Sequence, residues 1–205
     1  MVIRFLLWSA AGFLIGGIPS GLIIGRLFGG PDLRRSGSQN IGATNAFRVL
    51  GAMPGLLTLV CDLLKGYLPL LILGTKNPHP WLLVSLGIAV ILGHDFSPYL
   101  GFKGGKGVAT SLGVFLFFSP KAILISLIFW IGLVALFRIV SVASIGAALI
   151  LPPAICWIGY PRPILLFSIL ASLLLIIRHR INIQRLFRGQ EKKLGKRRVE
   201  GLDVQ

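Results

Sequence analysis

From residue 5 to residue 177 the chain is a succession of long apolar runs, parted only by short polar, glycine-rich or proline-rich breaks. Such runs are membrane spans, and their peptide groups must find partners within each run, which makes each one a helix. The breaks divide the chain into seven spans, at roughly 5–27, 52–73, 81–96, 108–118, 121–137, 142–158 and 164–177. Gly16, Gly17, Gly21 and Gly25 in the first are small packing positions. The fourth is short and leaves part of its length in the interface, and Pro152-Pro153 predicts a kink in the sixth. With 55% hydrophobic residues and a mean hydropathy of +0.85, a soluble domain is excluded. The first run exceeds a signal-peptide core and no small-residue cleavage site follows it, so it reads as a retained span. The expected fold is therefore an all-α polytopic membrane protein with seven transmembrane helices. It forms a single domain over 1–205, with a basic tail from about residue 178 and no internal repeat. Cys61 and Cys156 lie inside apolar runs and read as buried thiols outside any redox or metal motif.

Charge sets the expected orientation. Seven spans place the loops at 29–51, 97–107 and 138–141 on the same side as the tail, together with sixteen of the 21 Lys and Arg residues. Arg4, Lys76, Lys121 and Arg162 fall on the other side, and Lys65 lies inside a span. The excess of positive charge makes the tail side cytoplasmic and the N-terminus external. A net charge of +15 on such a chain suits anionic headgroups and an anionic substrate rather than nucleic acid.

Three polar stretches share that side. Gly101-Phe102-Lys103-Gly104-Gly105-Lys106-Gly107 opens the fourth span. Its glycines free the backbone, its amides and the following helix N-terminus can face one anion, and its lysines add full charges. The spacing is neither a Walker loop nor GxGxxG, and a flexible loop with lysines among headgroups fits the same residues. The second stretch runs from Ser36 to Gly51 and is rich in small, hydrogen-bonding residues, with Arg48 as its cation. Ser and Asn there can cap their own loop, yet a loop this long without structure of its own is often functional. The third begins Arg178-His179-Arg180-Ile181-Asn182 and continues to Glu191. On a continuous helix His179, Asn182 and Leu186 share a face, Arg178, Ile181 and Arg185 point elsewhere, and the surrounding cations read as lipid contacts. Asp62 and Lys65, i and i+3 inside a span, read as an ion pair or a functional pair. His94 and Asp95 close the third span beside the glycine loop.

Absent motifs narrow the chemistry. No histidine has an aspartate five positions on, no GxSxG elbow occurs, and no His, Cys or acidic cluster offers a metal cage. The remaining equipment, anion-binding groups with hydroxyl, amide and imidazole side chains, suits a substrate that arrives activated and carries phosphate. An organic-phosphate transporter is the alternative, with internal repeats and a midplane anion site as its expected signs. A structural membrane subunit would leave the glycine loop without a reason.

The stretches SGSQNIGATNAFRVLG, GFKGGKGVATS and RHRINIQRLFRGQE, in that order and spacing, resemble the three cytoplasmic motifs of the bacterial acyl-phosphate:glycerol-3-phosphate acyltransferase family. Asp62-Leu63-Leu64-Lys65-Gly66 and Gly93-His94 between them are similar as well. The resemblance covers nearly the whole chain. It implies an inner-membrane enzyme that transfers a fatty acyl group from acyl phosphate to glycerol 3-phosphate on the cytoplasmic side, giving lysophosphatidate and phosphate. It implies Ser38, Arg48, Lys106 and His179 as catalytic residues. Asn40, Thr44, Asn45, Gly104, Gly105, Lys106, Gly107 and Asn182 are expected to bind substrate. It implies no cofactor, no metal and no obligatory protein partner beyond membrane lipids.

Overall fold

The computed structural model describes residues 2–74 and 79–194. Among these, ten α-helices and one 3-10 turn form, and no strand. The first apolar run is two helices, α1 (Val2–Gly17) and α2 (Ser20–Leu27), broken at Ile18-Pro19. The break follows from proline, which has no N–H to donate and frees a carbonyl upstream. Lys65 bonds a different carbonyl, the one next to the proline, its Nζ donating to Ile18 O at 2.7 Å. Asp62 accepts from the Ser20 hydroxyl at 2.9 Å and lies 2.8 Å from Lys65 Nζ. The two charges inside the second span are therefore an ion pair, and the pair pins both ends of the break.

A short helix, α3 (Ala43–Leu50), leads into α4 (Ala52–Gly74), followed by α5 (Pro80–Asp95), α6 (Val108–Phe118) and α7 (Pro120–Phe137). The chain continues as α8 (Val140–Ile158), α9 (Arg162–Arg178) and α10 (Arg180–Phe187). Pro80, Pro120 and Pro163 sit in the first turn of α5, α7 and α9, where a missing N–H costs nothing. Five stretches are long and apolar enough to cross a membrane: Val2–Leu27, Ala52–Gly74, Pro80–Leu100, Pro120–Phe137 and Val140–Ile158. A sixth is reached if α9 and α10, bent by 55°, count together. The eleven-residue α6 does not qualify by length.

α1 packs on α5, α4 on α6, and α7 on α8, which in turn meets α9. The α4–α6 contact is backbone to backbone: a Cβ on Gly66 would strike the Thr110 carbonyl, and one on Gly113 the Leu63 carbonyl. The main core joins α4, α5, α6, α7, α8 and α9, with the Phe115 ring stacked on Phe167 at 4.8 Å. A second small core of Leu22, Leu33, Ile41 and Ala46 fastens the first loop to α2. Cys61 and Cys156, expected inside, lie on the outer surface. Their helices present that face to the membrane, where a thiol is as acceptable as in a core.

Candidate active site

The glycine loop folds back on α5 before it turns into α6. Gly104 N donates to Asp95 O at 3.2 Å and Gly105 N to His94 O at 3.0 Å. A Cβ on Gly104 would collide with the His94 carbonyl and one on Gly105 with the His94 ring. These two glycines are therefore small because α5 is close, and their amides are spent on it. Neither lines the cavity described below, and the contacts they make are with α5. Gly101 and Gly107 are the loop glycines with positive φ, 58° and 71°. Gly107 starts α6, and its left-handed turn brings Lys106, Val108 and Ala109 to the cavity wall. Lys103 is exposed, so one lysine of the loop enters the site and the other does not.

The first loop is built around Asn45. Its amide nitrogen donates to the carbonyls of Leu33, Ser36 and Asn40 at 3.2, 3.0 and 2.8 Å, and its oxygen accepts from Ser38 N at 2.8 Å. Asn45 is 2% exposed and these hydrogen bonds hold the loop's shape, while the residue also forms part of the cavity wall. Asn40 Oδ1 accepts from Gly42 N at 2.9 Å, which sets the entry to α3. Ser38, Asn40, Thr44 and Arg48 line the cavity, with Thr44 and Arg48 at its open rim.

The third stretch is not one continuous helix. The chain bends at His179, between α9 and α10, and the bend carries Asn182 and Arg185 into the cavity together with His179. Arg185, expected on another face, joins them for that reason. His179 Nδ1 lies 2.8 Å from Leu175 O, a contact only an N–H can make, which leaves Nε2 as a lone-pair acceptor. Arg178, expected among headgroups, instead clamps the glycine loop. It donates to Gly105 O from Nε and Nη2 at 3.1 and 2.7 Å and to Gly104 O at 3.3 Å, and it lies 4.9 Å over the Phe96 ring.

The three stretches thus meet on one cavity of about 350 Å³. Asp62 and His94 form part of its lining, and Arg48, Lys106, Arg185 and Lys192 supply its positive charge. Lys106 Nζ donates to Asn182 Oδ1 at 2.5 Å. Burial brings its ammonium down to about 8; Arg185, Arg178 and Arg48 add to the fall and Glu191 opposes it. Glu191 and Ser141 were not anticipated. The Glu191 carboxylate accepts from Asn182 Nδ2 at 2.6 Å and from Ser141 Oγ at 2.8 Å. One acidic residue at the start of a basic tail was the available signal. A second cavity, about 210 Å³ and almost wholly apolar, shares Leu59, Val108, Ala109, Trp130 and Ser144 with the first. It runs down between α6, α7, α8 and α9 to Phe115, Ile123, Leu151 and Ala171.

The model of the glycerol-3-phosphate acyltransferase family matches residues 6–189. The chain belongs to the glycerol-3-phosphate acyltransferase family. It is 46% identical over 192 residues to the glycerol-3-phosphate acyltransferase of Trichlorobacter lovleyi, covering 92% of this chain and 96% of that one. Among solved structures it is similar to PlsY (YgiH), an integral membrane glycerol 3-phosphate acyltransferase. The glycerol 3-phosphate form matches with a TM-score of 0.88 and 42% identity over 93% of this chain and 96% of that one. Its lysophosphatidic acid form matches with a TM-score of 0.86 and 41% identity, over 93% and 95%.

Proposed function

We propose that this protein acylates glycerol 3-phosphate with acyl phosphate as the donor. The observation that carries the reading is the pair of joined cavities, one cationic and lined by all three motif stretches, the other apolar and set among membrane helices. The glycerol 3-phosphate hydroxyl oxygen attacks the acyl carbonyl carbon, and the carbon–oxygen bond to phosphate breaks. The departing phosphate takes the hydroxyl proton, so the products are lysophosphatidate and inorganic phosphate. The donor is already activated, and the residues need only place two anions side by side and stabilise the moving charge.

In this reading Arg48 grips a phosphate with its planar fork, and Lys106 meets the charge that grows on the departing phosphate. His179 Nε2 and Asn182 position glycerol 3-phosphate, Ser38, Asn40 and Thr44 complete the polar wall, and the Gly107 turn offers the first amides of α6. Gly104, Gly105 and Asn45 act one step back, by shaping the two loops. The acyl chain occupies the apolar cavity. The protein is a single inner-membrane domain of seven crossings with its N-terminus outside and this site on the cytoplasmic side, supported by sixteen positive residues against four.

The test is incubation of the purified protein with acyl phosphate and labelled glycerol 3-phosphate in the presence of a strong chelator. Labelled lysophosphatidate and an equal amount of phosphate are expected, without acyl-CoA or acyl-carrier protein. Product formed only with a thioester donor, or only after a divalent metal is restored, would overturn the assignment.

A further inference from the structure

Lys106 carries only donors, and an ionised Glu191 only acceptors, so a group that touches both must offer one of each. Asn182 does so: Oδ1 faces Lys106 Nζ and Nδ2 faces Glu191 Oε1. Ser141, one residue into α8, donates to the same Oε1, while Oε2 is buried with no hydrogen-bond partner. Charged groups reach Lys106 from every side. Arg48 comes from α3, Arg178 from α9, Arg185 from α10 and Glu191 from the tail, and the His179 ring lies between α9 and α10. Of these, Glu191 alone is an anion.

We propose that Glu191 is a positioning residue for acyl transfer: it fixes the Asn182 amide with its oxygen toward Lys106 and supplies the one negative charge facing that lysine among three arginines. The inference rests on the reading of the cavity as the acyl-transfer site. Asn182 has two amide orientations, and nothing in α10 selects between them. A carboxylate, which cannot donate, selects one. The same negative charge holds Lys106 as an ammonium in surroundings that otherwise favour the neutral amine. The segment that carries Glu191 is itself held in place, with Gln190 N on Arg185 O at 2.8 Å and Leu194 N on Arg138 O at 2.7 Å. The carboxylate is therefore delivered by a fixed backbone rather than by a wandering tail.

Glu191→Gln and Glu191→Asp separate charge from shape. Glutamine keeps the size and one acceptor oxygen, so the contacts with Ser141 and Asn182 survive while the charge goes. Aspartate keeps the charge on a shorter arm. In the full chain, in uncharged detergent, the rate at which Lys106 reacts with a small amine-directed reagent is followed against pH by peptide mass spectrometry. This readout needs no substrate. The midpoint is expected to fall by about one pH unit in Glu191→Gln and to stay near the wild type in Glu191→Asp. Turnover of acyl phosphate and glycerol 3-phosphate by the same samples should show the alkaline limb of kcat/KM moving with that midpoint. An unchanged Lys106 midpoint in a folded Glu191→Gln protein overturns the inference, whatever its turnover. If the midpoint falls in Glu191→Gln as expected but the wild type forms no lysophosphatidate, the acyl-transfer reading is overturned instead.

Discussion

At the residue scale, Lys106 and Arg48 are both cations at one cavity, and physical chemistry gives them different duties. Lys106 is largely buried and titrates at about 8. Below that pH it is an ammonium and above it a neutral amine, so kcat/KM is expected to hold toward neutral pH and to fall as pH rises through about 8. A bound phosphate favours the ammonium, so the corresponding limb of kcat lies at higher pH. Profiles of both constants from pH 6 to 10 check this, and a kcat/KM that rises through that window would contradict it. Lys106→Met removes a charge-assisted contact worth roughly 1.5–3 kcal/mol, which predicts a fall in kcat of about ten- to a hundredfold. Arg48 stands at the open rim and offers two parallel donors, which lysine cannot reproduce. Arg48→Lys should therefore raise KM even though the charge is kept. Wild-type constants for both variants in uncharged detergent, over a range of salt, would return the two residues to plain headgroup contacts.

At the scale of elements, the helices were legible and the contacts between them were not. Apolar runs and flanking prolines mark α4 through α9 because each signal is local, within a few residues of the boundary it sets. The 18–19 break was missed inside the first apolar run, although Pro19 was visible, because what makes it tolerable is Lys65, more than forty residues away. The three polar stretches that line the cavity stood out by residue type alone. Their contacts did not: Asn45 bonds its own loop, Gly104 and Gly105 bond to α5, and Arg178 folds onto the glycine loop. The Arg178 clamp depends on a residue more than seventy positions away, and the glycine contacts depend on how the loop folds back on α5. The Asp62–Lys65 pair carries a prediction at this scale, since both side chains are below a tenth exposed and serve the broken helix. Lys65→Met alone leaves Asp62 buried without its partner and should cost about 3–5 kcal/mol. The double change Asp62→Asn with Lys65→Met leaves no lone charge and should recover much of that loss. Thermal unfolding in detergent reads both, and a single variant as stable as the wild type would show that the pair does not hold the break.

At the scale of the whole molecule, the lengths of the helices bear on where the chemistry sits. An eleven-residue helix is about 16 Å long against a hydrocarbon layer of about 30 Å. In the proposed seven-crossing topology α6 must still deliver the chain to Pro120 on the far side, so its N-terminus and Lys106 begin well below the cytoplasmic surface. That depth gives the arrangement its use. In the proposed reaction, glycerol 3-phosphate would enter the cationic cavity from water and the acyl chain the apolar one from the membrane, and the two cavities share the wall formed by Val108, Ala109, Trp130 and Ser144. The topology has a direct test. With the outward-facing Cys61 and Cys156 first replaced by alanine, single cysteines at Tyr160, in the turn between α8 and α9, and at Lys193, in the tail, report the two faces. In sealed right-side-out vesicles an impermeant maleimide should label the cysteine at 160 and spare the one at 193, and inverted vesicles should reverse the pattern. Labelling of both from one face would mean that α9 does not cross, and the seven-crossing topology would fail. The polar cavity would then lack the common cytoplasmic side that the charge distribution requires of it.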